Sequence, residues 1–239
     1  MSLDRVARLP RRLAARAGQE LGARRLRSRL RIAPRDDLVS FGVGYGAWTI
    51  PDVLDETSVV YLGGIGKDIV FDLSLIARYG CTVHAFDPVP ESVEYARAAA
   101  RAEPRFVLHP TGLWSDDGAL RFFDHREPGF VSHSATDMHA TGTFFEAPVR
   151  AVDSLMRELR HDHVDLLKLS VEGSEYELVG DVLAKQIDVR VLCVEFAQPA
   201  PLARIEETLA SLERAGYELV VASLPPWNWK LTLVRAGRS

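Results

Sequence analysis

The stretch SVVYLGGIGKDIVFDLSLIARYGCTVHAFD, residues 58–87, constrains the fold more than any other. A β-branched apolar run ends in three close glycines, Gly63, Gly64 and Gly66. Next, Ile69, Val70, Leu73, Leu75, Ile76 and Tyr79 give a broad apolar face, and Gly80 stands where a helix C-cap belongs. A second apolar run, CTVHAFD, ends in Asp87. Strand, tight turn, helix and parallel strand make a right-handed crossover unit, and such units build sheets covered on both faces. Ligands of these sheets bind beyond the carboxyl ends of the strands. Glycines there admit a close ligand, and a carboxylate at the next strand tip can accept both ribose hydroxyls of an adenosine.

A second glycine cluster, FGVGYGAWTIP at 41–51, fails the same test. Pro51 prevents a crossover helix from starting behind it, and no acid-tipped strand follows before the second loop. It reads as a turn that lays Tyr45 and Trp48 near the mouth of a pocket.

The rest of the chain continues the alternation. PESVEYARAAARAE (90–103) is a helix with proline and acid in its first turn, after a turn at Pro88. RFVLHPTGLW (105–114) reads as a third strand and ALRFFDHRE (119–127) as a further one; 128–148 looks irregular. VDSLMRELRH is a helix, and its RELRHDH end reads as solvated surface. VDLLKLSV and VRVLCVEF are buried strands, with SEYELVGDVLAKQI and PLARIEETLASLERAG as their helices. YELVVAS, PPWNW and KLTLVRA form a terminal hairpin, with Trp227 and Trp229 in its packing. The expected fold is α/β: a doubly wound, Rossmann-like, mostly parallel sheet with a C-terminal antiparallel hairpin. That closing hairpin is the arrangement of class I methyltransferases.

Composition bounds the rest. The 239 residues are 47% hydrophobic and 26% charged, an ordinary globular mix. Cys81 and Cys193 sit in apolar runs and read as buried, reduced thiols of a cytoplasmic protein. No apolar run is long enough to span a membrane, and the N-terminus lacks a signal peptide's apolar core. Residues 1–36 hold eleven Arg, no Lys and three acids, a net +8 that leaves −12 on the remainder of a chain totalling −4. The expected organisation is a basic helical arm over 1–36 and one catalytic domain over 37–239. The arm either packs on the body or a partner subunit, or meets an anionic membrane or polymer. An imported mitochondrial leader has a similar composition.

The first loop departs from the dinucleotide pattern, because Ile69 stands where the third glycine would be. Lys67 lacks the setting of a Walker lysine. A tight glycine turn alone suits S-adenosylmethionine, which has no phosphate to cradle.

From about Gly46 to Phe196 the sequence resembles the FkbM-type methyltransferases. The blocks that carry the resemblance are VVYLGGIGKDIVFD, GCTVHAFDPVPES, TGLWSDDGALRFF, VSHS at 131–134 and DLLKLSVEGSEYEL at 165–178. The resemblance implies methyl transfer from S-adenosylmethionine to a hydroxyl of a sugar, glycolipid, polysaccharide or natural product. It implies that Gly63, Gly64 and Gly66 wrap the methionine part, that Asp87 with Pro88 takes the ribose, and that Gly112, Leu113 and Trp114 lie at the adenine. Two positions depart from the family. Ser170 replaces the acid of its K-x-D-x-E-G block, and Ala197 replaces the histidine after V-E-F.

A hydroxyl nucleophile gains from a base. His133 either serves as that base or hydrogen-bonds its own loop. Glu172 either helps to bind the acceptor or caps a helix, and Ser170 occupies the position of the family acid. Glu195 is near a strand end and could be a buried hydrogen-bond partner. Asp137 and His139 could join His133 around a metal, which methyl transfer does not require. No nucleic-acid partner is expected, and an oligomer is compatible with the chain. Two rivals stand: a catalytically degenerate scaffold of the same fold, and an NAD(P)-dependent oxidoreductase.

Overall fold

The computed structural model describes residues 20–22, 24–123, 143–197, 201–225 and 228–237. Residues 20–22 and 24–29 are helical (α1). A two-stranded antiparallel ribbon follows, β1 (Leu38–Phe41) and β2 (Trp48–Pro51), joined through a 3-10 turn at Gly44–Gly46. The alternating body comprises β3 (Val59–Gly63), α2 (Val70–Tyr79), β4 (Thr82–Phe86), α3 (Pro90–Ala99) and β5 (Phe106–His109). Next come β6 (Gly112–Trp114), β7 (Gly118–Phe123), β8 (Phe144–Ala151), α4 (Val152–Leu159), β9 (Val164–Leu169) and α5 (Glu175–Ala184). The chain closes with β10 (Val189–Ala197), α6 (Leu202–Arg214), β11 (Tyr217–Ser223) and β12 (Asn228–Arg235).

Seven strands form the main sheet in the order β11-β12-β10-β9-β3-β4-β5. β10, β9, β3, β4 and β5 pair in parallel, and β12 inserts antiparallel between β10 and β11. This is the doubly wound sheet with a terminal hairpin expected from the sequence. The order reverses between β3 and β9, which stay paired to their last residues, Gly63 and Leu169, so the connections leaving their carboxyl ends run to opposite faces of the sheet.

Alternation along the strands divides the core in two. Val60, Leu62, Leu166 and Cys193 face one layer with Leu75 and Ile76 of α2. Tyr61, Leu167, Leu169 and Leu192 face the other with Val179, Ile205 and Trp229. All six residues of β9 are buried, as a central parallel strand requires. Each such apolar side chain contributes about 1.5–3 kcal/mol. Gly80 ends α2 at φ 71, its N–H donating to Ile76 O at 2.8 Å. Both cysteines are buried and unpaired; burial pushes the Cys81 thiol up to about 11 and the Cys193 thiol to about 12.

Three local expectations change. Residues 105–114 form two strands, not one: β5 belongs to the main sheet, and β6 pairs with β8 in a separate three-stranded sheet. Pro110 lies between them and breaks the run. Residues 144–148, expected to be irregular, belong to β8 and pair with β7; Phe122 and Phe145 stack with centroids 5.6 Å apart. The RELRHDH segment is not all solvated, since His161 Nδ1 and the Tyr61 hydroxyl are 2.9 Å apart and burial lowers the His161 pKa.

Candidate active site

The tips of β3, β4 and β9 meet at a cavity of about 310 Å³. Gly64, Ile65 and Gly66 line it with Phe86, Asp87, Pro88, Val89, Gly112, Leu113, Ser170, Glu172 and Tyr45. A larger cavity of about 800 Å³ lies between α1, α6 and the start of β11, away from those strand tips. The smaller one is the candidate site, because parallel sheets present ligands at their carboxyl ends.

One side of it is made largely of backbone. Gly64 adopts φ +77, and a Cβ there would stand 1.8 Å from Ser170 O, so only glycine lets the loop pass the β9 tip. Gly64 N donates to Phe86 O at 2.9 Å, and Ser170 N donates to Gly63 O at 3.1 Å. Lys168 Nζ donates to Gly64 O at 2.7 Å. Asp72 of α2 lies buried nearby; burial pushes its carboxyl up to about 6, and Lys168 pulls it down. Gly66 is left-handed too (φ +59), but a Cβ there would meet nothing within 4 Å.

Asp87 anchors this loop. Its Oδ2 accepts from Ile65 N at 2.8 Å and Gly66 N at 3.1 Å, and its Oδ1 accepts from Val89 N at 2.9 Å. Burial raises its pKa, opposed by those three bonds and by Lys168. A carboxylate offers about four acceptor directions. With three taken, Asp87 has room for about one further hydroxyl rather than two. Gly112 and Leu113 line the cavity, with Pro88 Cγ 3.4 Å from a Cβ built on Gly112. Trp114 does not line it; that ring packs on the Phe122, Ala147 and Val149 cluster.

The other side is built from side chains. Ser170 Oγ donates to Glu195 Oε2 at 2.6 Å. Asn228 of β12 donates to Glu195 Oε1 and, at 2.9 Å, to the Tyr45 hydroxyl. Lys230 Nζ lies 3.8 Å from Glu195 Oε2, donates to Tyr45 O and sits 4.9 Å from the Tyr45 ring centroid. Burial pushes the Tyr45 hydroxyl's pKa up, and the charges of Glu195 and Glu172 add to this. Burial lowers that of Lys230, and Glu195 opposes the shift. The second glycine cluster therefore does bring Tyr45 to the cavity, while Trp48 is buried against Phe71.

Glu172 lies in the turn before α5 at φ 48, beside Gly173 at φ 98. Gly173 N donates to both carboxylate oxygens of Glu175, at 3.0 and 2.9 Å, and burial pushes that carboxyl up to about 8. His133, Asp137 and His139 lie outside the described residues. Among the described residues no group of three or more His, Cys, Asp or Glu is arranged to hold a metal.

The sequence reading singled out Ser170 and raised Glu195, but missed that they touch. It missed Asn228 and Lys230, which carry no motif. Glu175 lies inside the EGSE block, and its spacing from Gly173 was the available signal.

A family model described as the methyltransferase FkbM domain matches residues 64–219. No curated protein matches the chain. Among solved structures, fibrillarin of Aeropyrum pernix, with natively bound S-adenosyl-L-methionine, is 12% identical over 76% of this chain and 68% of its own, with a TM-score of 0.46. The fibrillarin pre-rRNA processing protein of Methanococcus jannaschii is 9% identical over 83% and 71%, with a TM-score of 0.47. An rRNA methylase of Streptococcus thermophilus is 13% identical over 77% and 90%, with a TM-score of 0.46. The family match takes in the loop from Gly64, Asp87, the β6 segment, the Ser170–Glu175 turn and Glu195. It agrees with the methyl donor expected from the sequence, and this chain belongs to the FkbM methyltransferase domain family.

Proposed function

We propose that this protein transfers a methyl group from S-adenosylmethionine to a hydroxyl of a small-molecule or glycan acceptor. The observation that carries this reading is the Ser170–Glu195 pair, whose serine lines the same cavity as the glycine loop. The residues present fit the cofactor. The Gly64–Gly66 turn leaves the open space that a Cβ at Gly66 would enter, and the cavity is at the small end of the usual ligand range of about 300–1,000 Å³. Asp87 and Pro88 would hold the ribose, and Gly112 and Leu113 the adenine. When bound, S-adenosylmethionine supplies a methyl group already activated on a sulfonium.

What remains for the chain is positioning and a proton. Ser170 Oγ already donates to Glu195, so its lone pairs are free to accept from an acceptor hydroxyl. The proton that such a hydroxyl sheds on methylation would pass to Ser170 Oγ, and the serine proton to Glu195 Oε2. The proton would then rest on the Glu195 carboxylate. Asn228 and Tyr45 hold Glu195 from its other side. Glu195 thus supplies the carboxylate that Ser170 lacks, which favours an enzyme over a degenerate scaffold. Glu172 faces the same cavity and is assigned to acceptor binding.

Calorimetric titration with S-adenosylhomocysteine, with NADH alongside, tests the reading. Micromolar binding of the first alone, followed by methylation of a hydroxyl in a panel of sugars and glycosides, is expected. NADH binding would favour the oxidoreductase, and binding of neither would favour the scaffold.

A further inference from the structure

α1 and the residues just after it carry a basic surface that the body does not neutralise. Arg24, Arg25, Arg27 and Arg31 are exposed, and none has an ion-pair partner among the described residues. Elsewhere Arg78, Arg121, Arg150, Arg157, Arg204 and Arg235 each meet a carboxylate. The helix is nevertheless docked. Leu26 is 1% exposed in the core, Arg29 pairs with Glu206 at 2.6 Å, and Ala33 N donates to Leu219 O at 2.8 Å. A helix fixed by its inner face must aim the residues opposite Leu26 outward, and these include Leu21 and Arg24, with Arg27 exposed on the flank.

Two aliphatic side chains flank the basic run, Leu21 at 51% and Ile32 at 49% exposure. Arginines interleaved with exposed aliphatics fit the boundary of a bilayer, where guanidinium groups meet lipid phosphates and the apolar groups enter between headgroups. A nucleic acid would gain from aromatic or amide side chains that stack on or read bases. The exposed residues of α1 are Glu20, Leu21, Arg24, Arg25, Arg27, Ser28 and Arg29, none of those types. The remainder of the chain, at −12, would be repelled by an anionic surface, so the arm approaches first.

We propose that α1 docks this protein on an anionic lipid surface. The test is sedimentation of the full chain with phosphatidylcholine vesicles, alone or mixed with phosphatidylglycerol. Binding only to the mixed vesicles, and loss of it at high salt, is expected. The variant Arg24→Gln/Arg25→Gln/Arg27→Gln/Arg31→Gln changes exposed side chains only and should melt like the parent. It should bind mixed vesicles roughly several hundredfold more weakly, since each of the four basic residues near such a surface contributes about a fivefold factor. Leu21→Ser should weaken binding to mixed vesicles several-fold at low salt. Equal binding to both vesicle types, no binding to either, or full binding by the quadruple variant would overturn the proposal. Tighter binding of labelled polyuridine than of mixed vesicles, lost in the same variant, would reassign the surface to nucleic acid.

Discussion

The two sides of the cavity are built in opposite ways. On the Gly64–Asp87 side each hydrogen bond has a backbone atom at one end or both, and most of its residues lie within one crossover unit. On the Ser170–Glu195 side nearly every contact is between side chains, and its members come from the turn before β2, the residue after β9, β10 and β12. Tyr45 and Asn228 are 183 residues apart in the chain yet share a hydrogen bond of 2.9 Å. A backbone cradle depends on what glycine lacks, so one added carbon can abolish it. A side-chain network depends on what each member supplies, so removing one member should alter chemistry before it alters shape.

Gly64→Ala should have the largest effect. The new Cβ would sit 1.8 Å from Ser170 O on a backbone with φ +77. Either β9 or the loop must move, at a cost of about 2–5 kcal/mol from left-handed strain and overpacking together. S-Adenosylhomocysteine binding should vanish, and the urea midpoint should fall. Gly66→Ala is the control, because its Cβ would meet nothing within 4 Å. Only the left-handed penalty of about 1–2 kcal/mol applies there. Equal stability of the two variants would break the argument that the β9 tip, not the φ angle, makes Gly64 obligatory. Asp87→Ala belongs to the same side. It leaves the N–H groups of Ile65, Gly66 and Val89 without their acceptor and should abolish cofactor binding. Unchanged affinity would remove Asp87 from the site.

Glu195→Gln should do the reverse. It keeps the shape of the side chain and removes the proton acceptor. Turnover should fall by roughly 10²–10⁴ with affinity for S-adenosylhomocysteine unchanged. Ser170→Ala should act in the same direction. The double variant should be little worse than either single one, since both interrupt one relay. Additive losses would mean that the two residues act separately, and full activity of Glu195→Gln would move the base to His133.

The same contrast explains what the sequence disclosed. The crossover unit was legible because local signals agreed: β-branched runs, a glycine turn, a helical apolar face and Gly80 at its end. Asp87 was legible as a strand-tip acid. Its three backbone bonds were not, because they depend on how the loop folds back over β4. Ser170 stood out only as a departure from a family pattern. Its partner could not be read, since the distance from Ser170 to Glu195 depends on β9 and β10 pairing in register, with Leu169 opposite Val194. Tyr45 and Asn228 lie outside the 64–219 match, so no family block could point to them. The irregular look of 128–148 hid the start of β8 because Pro148 reads as a strand breaker. It is tolerated because β6 pairs with β8 only from Val149 onward, so at Pro148 one side of β8 has no strand partner among the described residues.

Glu175 sharpens the comparison from neutral ground, because it supports the turn between the two sides without facing the acceptor. Burial pushes its carboxyl from an ordinary 4.5 up to about 8, opposed by the N–H of Gly173. The folded protein therefore binds that proton more tightly than the unfolded chain does. The resulting stability is fully present below about pH 4.5 and is lost as pH rises towards about 8. Glu175→Gln should remove this slope while its amide oxygen still accepts from Gly173 N. The variant should gain on the order of a few kcal/mol over the parent at pH 8 and little at pH 5. Melting curves across that range measure the difference, with turnover at pH 7 expected to stay level. A parallel pH slope in both proteins would mean that the carboxylate is ionised in place, with the turn stabilised by its charge. A loss of turnover instead would show that the turn presenting Glu172 is set by that charge, and would bring Glu175 into the side-chain half of the site.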